Sequence, residues 1–217
     1  MSAFSYLIDM FLHLDKHLGT VINNYGFETY LILFAIIFLE TGLVVTPFLP
    51  GDSLIFAAAT FAAMGMLNIY ALVGILMVAA IFGDTVNYEI GRIFGNKLIK
   101  VSGGRLIKQE HLDKTNSFYE KYGGKTIIFA RFIPIVRTLA PFVAGIGKMK
   151  YKNFITFNAI GGALWVVGVS GFGYFFGNIP VVRDNFSVVV IAIILISIMP
   201  AVIEILKSKL KKTNEIV

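Results

Sequence analysis

The chain reads as an all-α polytopic membrane protein: an inverted repeat of a re-entrant helical hairpin plus a transmembrane helix, preceded by an N-terminal amphipathic helix. Three observations predict this. Of 217 residues, 57% are hydrophobic and only 15% charged, with 20 Phe and a mean hydropathy of +0.78. That composition belongs to an integral membrane protein and not to a soluble core. Two long apolar stretches are interrupted by prolines. Four charges, Glu40, Asp52, Arg131 and Arg137, lie within those stretches. A charge at bilayer depth costs roughly 2.5–3.5 kcal/mol on insertion scales, so such groups persist only where they pair, face water or bind something.

Residues 4–25 place Phe4, Leu7, Ile8, Phe11, Leu18 and Ile22 on one helical face and Asp9, His13 and Lys16 opposite. This predicts an interfacial helix within 1–29. No removable signal peptide is expected, because no basic n-region or small-residue cleavage site is present. The membrane domain, 30–206, opens with the apolar stretch 30–66, broken at Pro47, Pro50 and Gly51. Prolines and a glycine so closely spaced end a helix. Backbone freed at that depth is tolerated only inside protein or against a water-filled cavity, so 30–66 is read as a re-entrant hairpin.

A full span follows at 69–90. The segment 91–125 carries eight Lys/Arg, among them Arg92, Lys97, Lys100 and Arg105, and is read as a cytoplasmic loop. A second apolar stretch, 126–147, is interrupted at Pro134 and Pro141 and followed by Lys148, Lys150 and Lys152. Both of its ends therefore lie on the cytoplasmic side, as a second hairpin requires. Spans at 154–176 and 187–206 and a basic tail, 207–217, complete the chain and put the C-terminus in the cytoplasm. If 30–66 is a hairpin, residues 1–29 lie outside; if 30–49 spans, they lie inside.

Phe48-Leu49-Pro50 recurs as Phe132-Ile133-Pro134, and Gly91-x-x-x-Gly95 recurs as Gly173-x-x-x-Gly177. Each half is a hairpin followed by one crossing, so the second half enters from the opposite face. Inverted repeats with broken helices are a plan of secondary transporters, and the paired breaks mark the binding site.

The net charge of +6 falls mostly in loops beside apolar spans, which points to positive-inside topology and not to nucleic acid. The absence of cysteine excludes thiolate chemistry, disulfides and Cys-based metal sites. Gly51-Asp52-Ser53-Leu54 spells a hydrolase signature, but His13, His17 and His111 all lie outside the apolar segments, and there is no Gly-x-Ser-x-Gly or P-loop. No enzyme, catalytic residue, cofactor or metal is expected.

Glu40 and Asp52 are the candidate proton-coupling and ion-pairing groups, since ionisable residues inside a membrane mark proton and ion pathways. Arg131 and Arg137 are the candidate phosphate ligands, because a guanidinium stays charged and binds phosphate in a bidentate fork. The plainer reading is that the two arginines neutralise the two acids; a phosphate then has to compete with the carboxylates. Asp84 shares a helix face with Asn87, Tyr88 and Gly91 and either extends a proton path or is structural. Glu89 is expected to pair with the basic loop. Gly83, Gly161, Gly162, Gly168 and Gly171 are read as close-packing positions, and Trp165 as packing or interface anchoring.

Glu40-x-Gly42, Phe48-Leu49-Pro50-Gly51-Asp52, Gly83-Asp84-x-x-x-Tyr88-x-x-Gly91-Arg92-x-x-Gly95 and Phe129-x-Arg131-Phe132-x-Pro134-x-x-Arg137-Thr138-x-x-Pro141-x-x-Ala144-Gly145 together resemble the DedA family. That family shares its membrane domain with the VTT-domain lipid scramblases. The resemblance covers roughly residues 28–206. It implies a protein of the bacterial cytoplasmic membrane that moves a phospho-lipid, of the undecaprenyl phosphate or phosphatidylethanolamine type, between leaflets. It also implies a link to the proton motive force. The acidic and arginine pairs that the family requires fall on Glu40, Asp52, Arg131 and Arg137. The expected partners are membrane lipids and protons, with no nucleic acid; assembly into homo-oligomers is compatible with the sequence. In the expected mechanism the arginines hold the lipid phosphate, and protonation of Glu40 or Asp52 loosens the acid–arginine pairs. Two rivals stay open: a proton- or cation-coupled antiporter for small ions or drugs, and an assembly factor without transport.

Overall fold

The computed structural model describes residues 14–43, 51–101 and 123–177, with scattered positions between 179 and 192. Seven α-helices organise the described residues, and no strand occurs among them: α1 Leu14–Tyr25, α2 Glu28–Gly42, α3 Gly51–Ala63, α4 Ile69–Val101, α5 Lys125–Ala130, α6 Pro134–Ile146 and α7 Tyr151–Phe176. The helical class read from composition is therefore observed. Residues 1–13, Pro47, Pro50, the middle of the 91–125 segment, nearly all of the 187–206 span and the 207–217 tail lie outside the described residues.

Two helices, Ile69–Gly95 within α4 and α7, are long and apolar enough to cross a membrane. The first continues past residue 90 to Val101, so the beginning of the segment read as a loop is helical. At 1.5 Å per residue its 33 residues reach about 50 Å against a hydrocarbon core of about 30 Å. The helix is therefore longer than the core is thick. The 15 residues of α2 and the 13 each of α3 and α6 span only about 20–22 Å apiece.

The helix directions follow from a few contacts. The Asn68 N–H donates to Tyr30 Oη at 2.7 Å, and farther along Gly42 packs on Gly83, so α2 and α4 run parallel. Gly51, which opens α3, lies against the Glu40 carboxylate near the end of α2. The far end of α3 turns within residues 64–68 into α4, so α3 runs antiparallel to both. In the second half α6 lies along α4, with Phe142 at Gly91 and Ile146 at Gly95. The mirror arrangement joins α3 to α7, with Phe56 at Gly173 and Thr60 at Gly177; the Thr60 hydroxyl donates to the Gly173 carbonyl at 3.1 Å. Short α5 follows α7, with Gly124 at Phe157 and Ile128 at Gly161. Short α6 thus packs on long α4, and short α3 on long α7.

Small residues make these approaches close. A Cβ on Gly91 would overlap the Phe142 carbonyl, and one on Gly145 would overlap that of Tyr88. Gly83, Gly161 and Gly162 are packing positions as expected, whereas no described atom lies within 4 Å of a Cβ built on Gly168 or Gly171. Gly91→Val is expected to lower the melting temperature in detergent, by an overpacking cost of roughly 1–3 kcal/mol. An unchanged melting temperature would mean that α4 and α6 do not pack this tightly.

One sequence expectation needs correction. Pro141 does not break the second apolar stretch: it lies inside α6, which runs from Pro134 to Ile146. The break falls earlier, at Arg131–Ile133, and Pro134 takes the first turn of α6, where its missing N–H is harmless. A proline within a membrane helix is tolerated where neighbouring helices and local adjustments relieve the freed backbone groups.

Candidate functional site: a buried cluster of five charges

The polar groups converge where the ends of α2, α3, α5 and α6 meet α4 and α7. Arg137, on the first turns of α6, reaches between α2 and α3. Its Nη1 donates to Asp52 Oδ1 at 3.0 Å, and its Nη2 pairs with Glu40 Oε1. Arg131, the residue that ends α5, turns instead to the long helices. Its Nη2 faces Asp84 Oδ2 on α4, Asn158 Oδ1 on α7 and the Ala80 carbonyl at 3.3 Å. Asn158 in turn donates to the Ile81 carbonyl at 3.0 Å, which fixes its amide with oxygen towards Arg131.

All five ionisable residues singled out in the sequence come together, but their pairing differs from the simplest expectation. Asp84 does not continue away along a separate polar path; it is the counter-ion of Arg131. The cluster therefore holds three carboxylates against two guanidiniums, and the two-against-two balance is lost. Glu89 lies apart and pairs with Arg92 one turn along at 3.4 Å.

Burial separates the members. Glu40, Asp84, Arg131 and Arg137 are all buried, whereas the Asp52 side chain is 22% exposed. Ion pairs removed this far from solvent repay their desolvation only with good geometry and further hydrogen bonds. Those are supplied here in part. Arg131 Nε and Nη1, Arg137 Nε and Asp84 Oδ1 have no partner among the described residues, so both arginines retain N–H donors.

Two side chains outside the expected set complete the framework. Asn87 donates to the Thr41 carbonyl at 3.1 Å and to the Thr138 carbonyl at 2.7 Å, tying α4 to α2 and α6. Its place on the Asp84 face of α4 was visible in the spacing; its two partners were not. Trp165, on α7, donates its indole N–H to Asp52 Oδ1 at 2.7 Å. The Arg137 guanidinium lies over its ring at 4.7 Å and that of Arg131 at 5.8 Å, within the range of cation–π attraction. A buried tryptophan needs a hydrogen-bond acceptor, and an acidic residue inside the apolar stretches was the only sequence sign of what that acceptor is.

Beside this cluster lies a groove of about 390 Å³ between α3 and α7. Asp52, Arg131 and Trp165 form its polar end, and Phe56, Val169 and Phe172 are among its apolar walls. Phe132, Phe172 and Phe176 at its margin are exposed. Among the described residues no cluster of His, Cys, Asp and Glu is suited to hold a metal ion.

Among the described residues, helices alone, two of them long and apolar enough to cross a membrane, around a buried charge cluster fit a helical membrane protein with an internal polar site. The VTT domain family matches residues 49–175. The chain is 53% identical to Protein DedA of Escherichia coli (strain K12), over 96% of each chain. It is 42% identical to an uncharacterized membrane protein of Mycobacterium leprae, covering 77% of this chain and 75% of that one. It is also 35% identical to the inner membrane protein YghB of Escherichia coli (strain K12), covering 79% and 75%. No solved structure matches the chain. This chain belongs to the DedA family of membrane proteins.

Proposed function

We propose that this protein is a lipid transporter of the bacterial cytoplasmic membrane, moving a phosphate-bearing lipid between leaflets. The observation that carries the reading is the groove: a polar end with an arginine, under apolar walls with exposed phenylalanines at the margin. That polarity matches a lipid whose headgroup is anionic and whose chain stays in the bilayer. The N–H groups of Arg131 and Arg137 that have no partner among the described residues are donors of the kind that bind phosphate. Competition between phosphate and the carboxylates of Glu40, Asp52 and Asp84 is the step at which protonation couples to lipid movement.

The architecture supports alternating access. The arms α2, α3 and α6 are too short to cross about 30 Å, α2 and α3 run in opposite directions, and each half packs its return arm on the long helix of the other. Two re-entrant hairpins related by an inverted repeat, entering from opposite faces, account for that pattern. In this reading the chain is multi-pass, the basic end of α4 is cytoplasmic and so is the C-terminus.

One observation favours a second reading. Three acids against two arginines leave a net charge of −1 when all are ionised, which suits a proton- or cation-coupled antiporter better than an anion site. Leaflet exchange in proteoliposomes separates the two. With fluorescent undecaprenyl phosphate or phosphatidylethanolamine, wild type is expected to exchange lipid, whereas Arg131→Ala and Glu40→Gln lose exchange. Exchange of neither lipid, with dye-reported proton flux intact, would reject lipid transport in favour of the antiporter.

A further inference from the structure

We infer that Trp165 is a positioning residue of the charge cluster: its indole N–H holds Asp52 and its ring carries Arg137, setting the bridge between them. The inference rests on the reading of this cluster as the transport site. Asp52 Oδ1 accepts from both Trp165 Nε1 at 2.7 Å and Arg137 Nη1 at 3.0 Å, so a single oxygen is located by two donors from different helices. The Arg137 guanidinium, 4.7 Å above the indole ring, cannot tilt without losing that face. Trp165 also forms part of the groove's polar end together with Asp52 and Arg131. It thus lies both against the ion pairs and along the groove, where a headgroup would meet them.

A packing role would be indifferent to the donor. Simple filling of space by a large ring needs no acceptor opposite the indole nitrogen, and Asp52 is the most exposed acid of the cluster. A hydrogen bond to a charged group is stronger than one between neutral groups and is enough to decide which orientation of the Asp52 carboxylate predominates.

Because Trp165 is the only tryptophan of the chain, the contact can be read directly. In detergent-solubilised protein, Asp52→Ala is expected to shift the tryptophan emission to shorter wavelength, since the excited indole loses its acceptor and a neighbouring negative charge. An unshifted spectrum would overturn the Trp165–Asp52 contact, whatever the protein transports. In proteoliposomes Trp165→Phe, which keeps a ring without a donor, is expected to slow leaflet exchange by about tenfold, and Trp165→Tyr, which restores an O–H donor, to recover part of it. Equal rates for the Phe and Tyr variants would overturn the positioning role and leave packing. If wild type itself exchanges no lipid, the transport reading falls, and the emission result alone decides whether Trp165 holds Asp52.

Discussion

Arg137→Ala is expected to abolish leaflet exchange and to lower the yield of folded protein sharply. Arg137 is the bridge between Glu40 and Asp52, and Glu40 is fully buried. Its removal leaves two carboxylates facing each other without a cation. Breaking a buried ion pair by deleting one partner typically costs about 3–5 kcal/mol, because the stranded charge keeps its desolvation penalty. The double variant Arg137→Ala with Glu40→Gln removes that charge, so it is expected to regain folded yield, measured by size-exclusion recovery and melting in detergent. It should still exchange no lipid. Normal exchange in Arg137→Ala would end the assignment of this arginine to the transported phosphate.

The second large effect is expected at Asp84. Asp84→Ala strands Arg131, which would keep only Asn158 and the Ala80 carbonyl, and a loss of about 3–5 kcal/mol is expected on the same argument. Asp84→Asn keeps the shape and an acceptor oxygen, so its melting temperature should fall less. The exchange assay then separates the two roles read for this residue. If Asp84 anchors Arg131, the Asn variant exchanges lipid at a reduced rate. A stable Asp84→Asn protein without exchange would assign Asp84 to proton transfer instead.

The two arginines, alike in the sequence, hold different positions in the structure. Arg131 is held by α4 and α7, the long helices, whereas Arg137 is held by the ends of the α2–α3 hairpin. A relative movement of α6 against the ends of α2 and α3 would stretch the Arg137 bridge first and leave the Arg131 anchor to α4 and α7 in place.

Much of this was legible in the residues. Charges in apolar stretches are costly, so Glu40, Asp52, Arg131 and Arg137 had to meet partners, and they do. Pro134, read only as an interruption, stands in the first turn of α6, where its fixed φ and missing N–H fit. Pro141 misled, because a proline inside a helix shows its cost in sequence but not the surroundings that relieve it. The end of the α4 helix was placed too early for a related reason: Arg92, Lys97 and Lys100 mark where a chain leaves the hydrocarbon, and a helix continues beyond that boundary when nothing breaks it.

The sequence by itself determined the class of protein, the apolar helices and the identity of the charged residues, since these follow from transfer energies and local backbone rules that each segment carries alone. Only the tertiary structure decided who pairs with whom. Arg131 chose Asp84, 47 residues away, over Asp52, and Trp165 found Asp52 across 113 residues. Those choices depend on how α4 and α7 cross the hairpins, and no local pattern encodes a distance between helices.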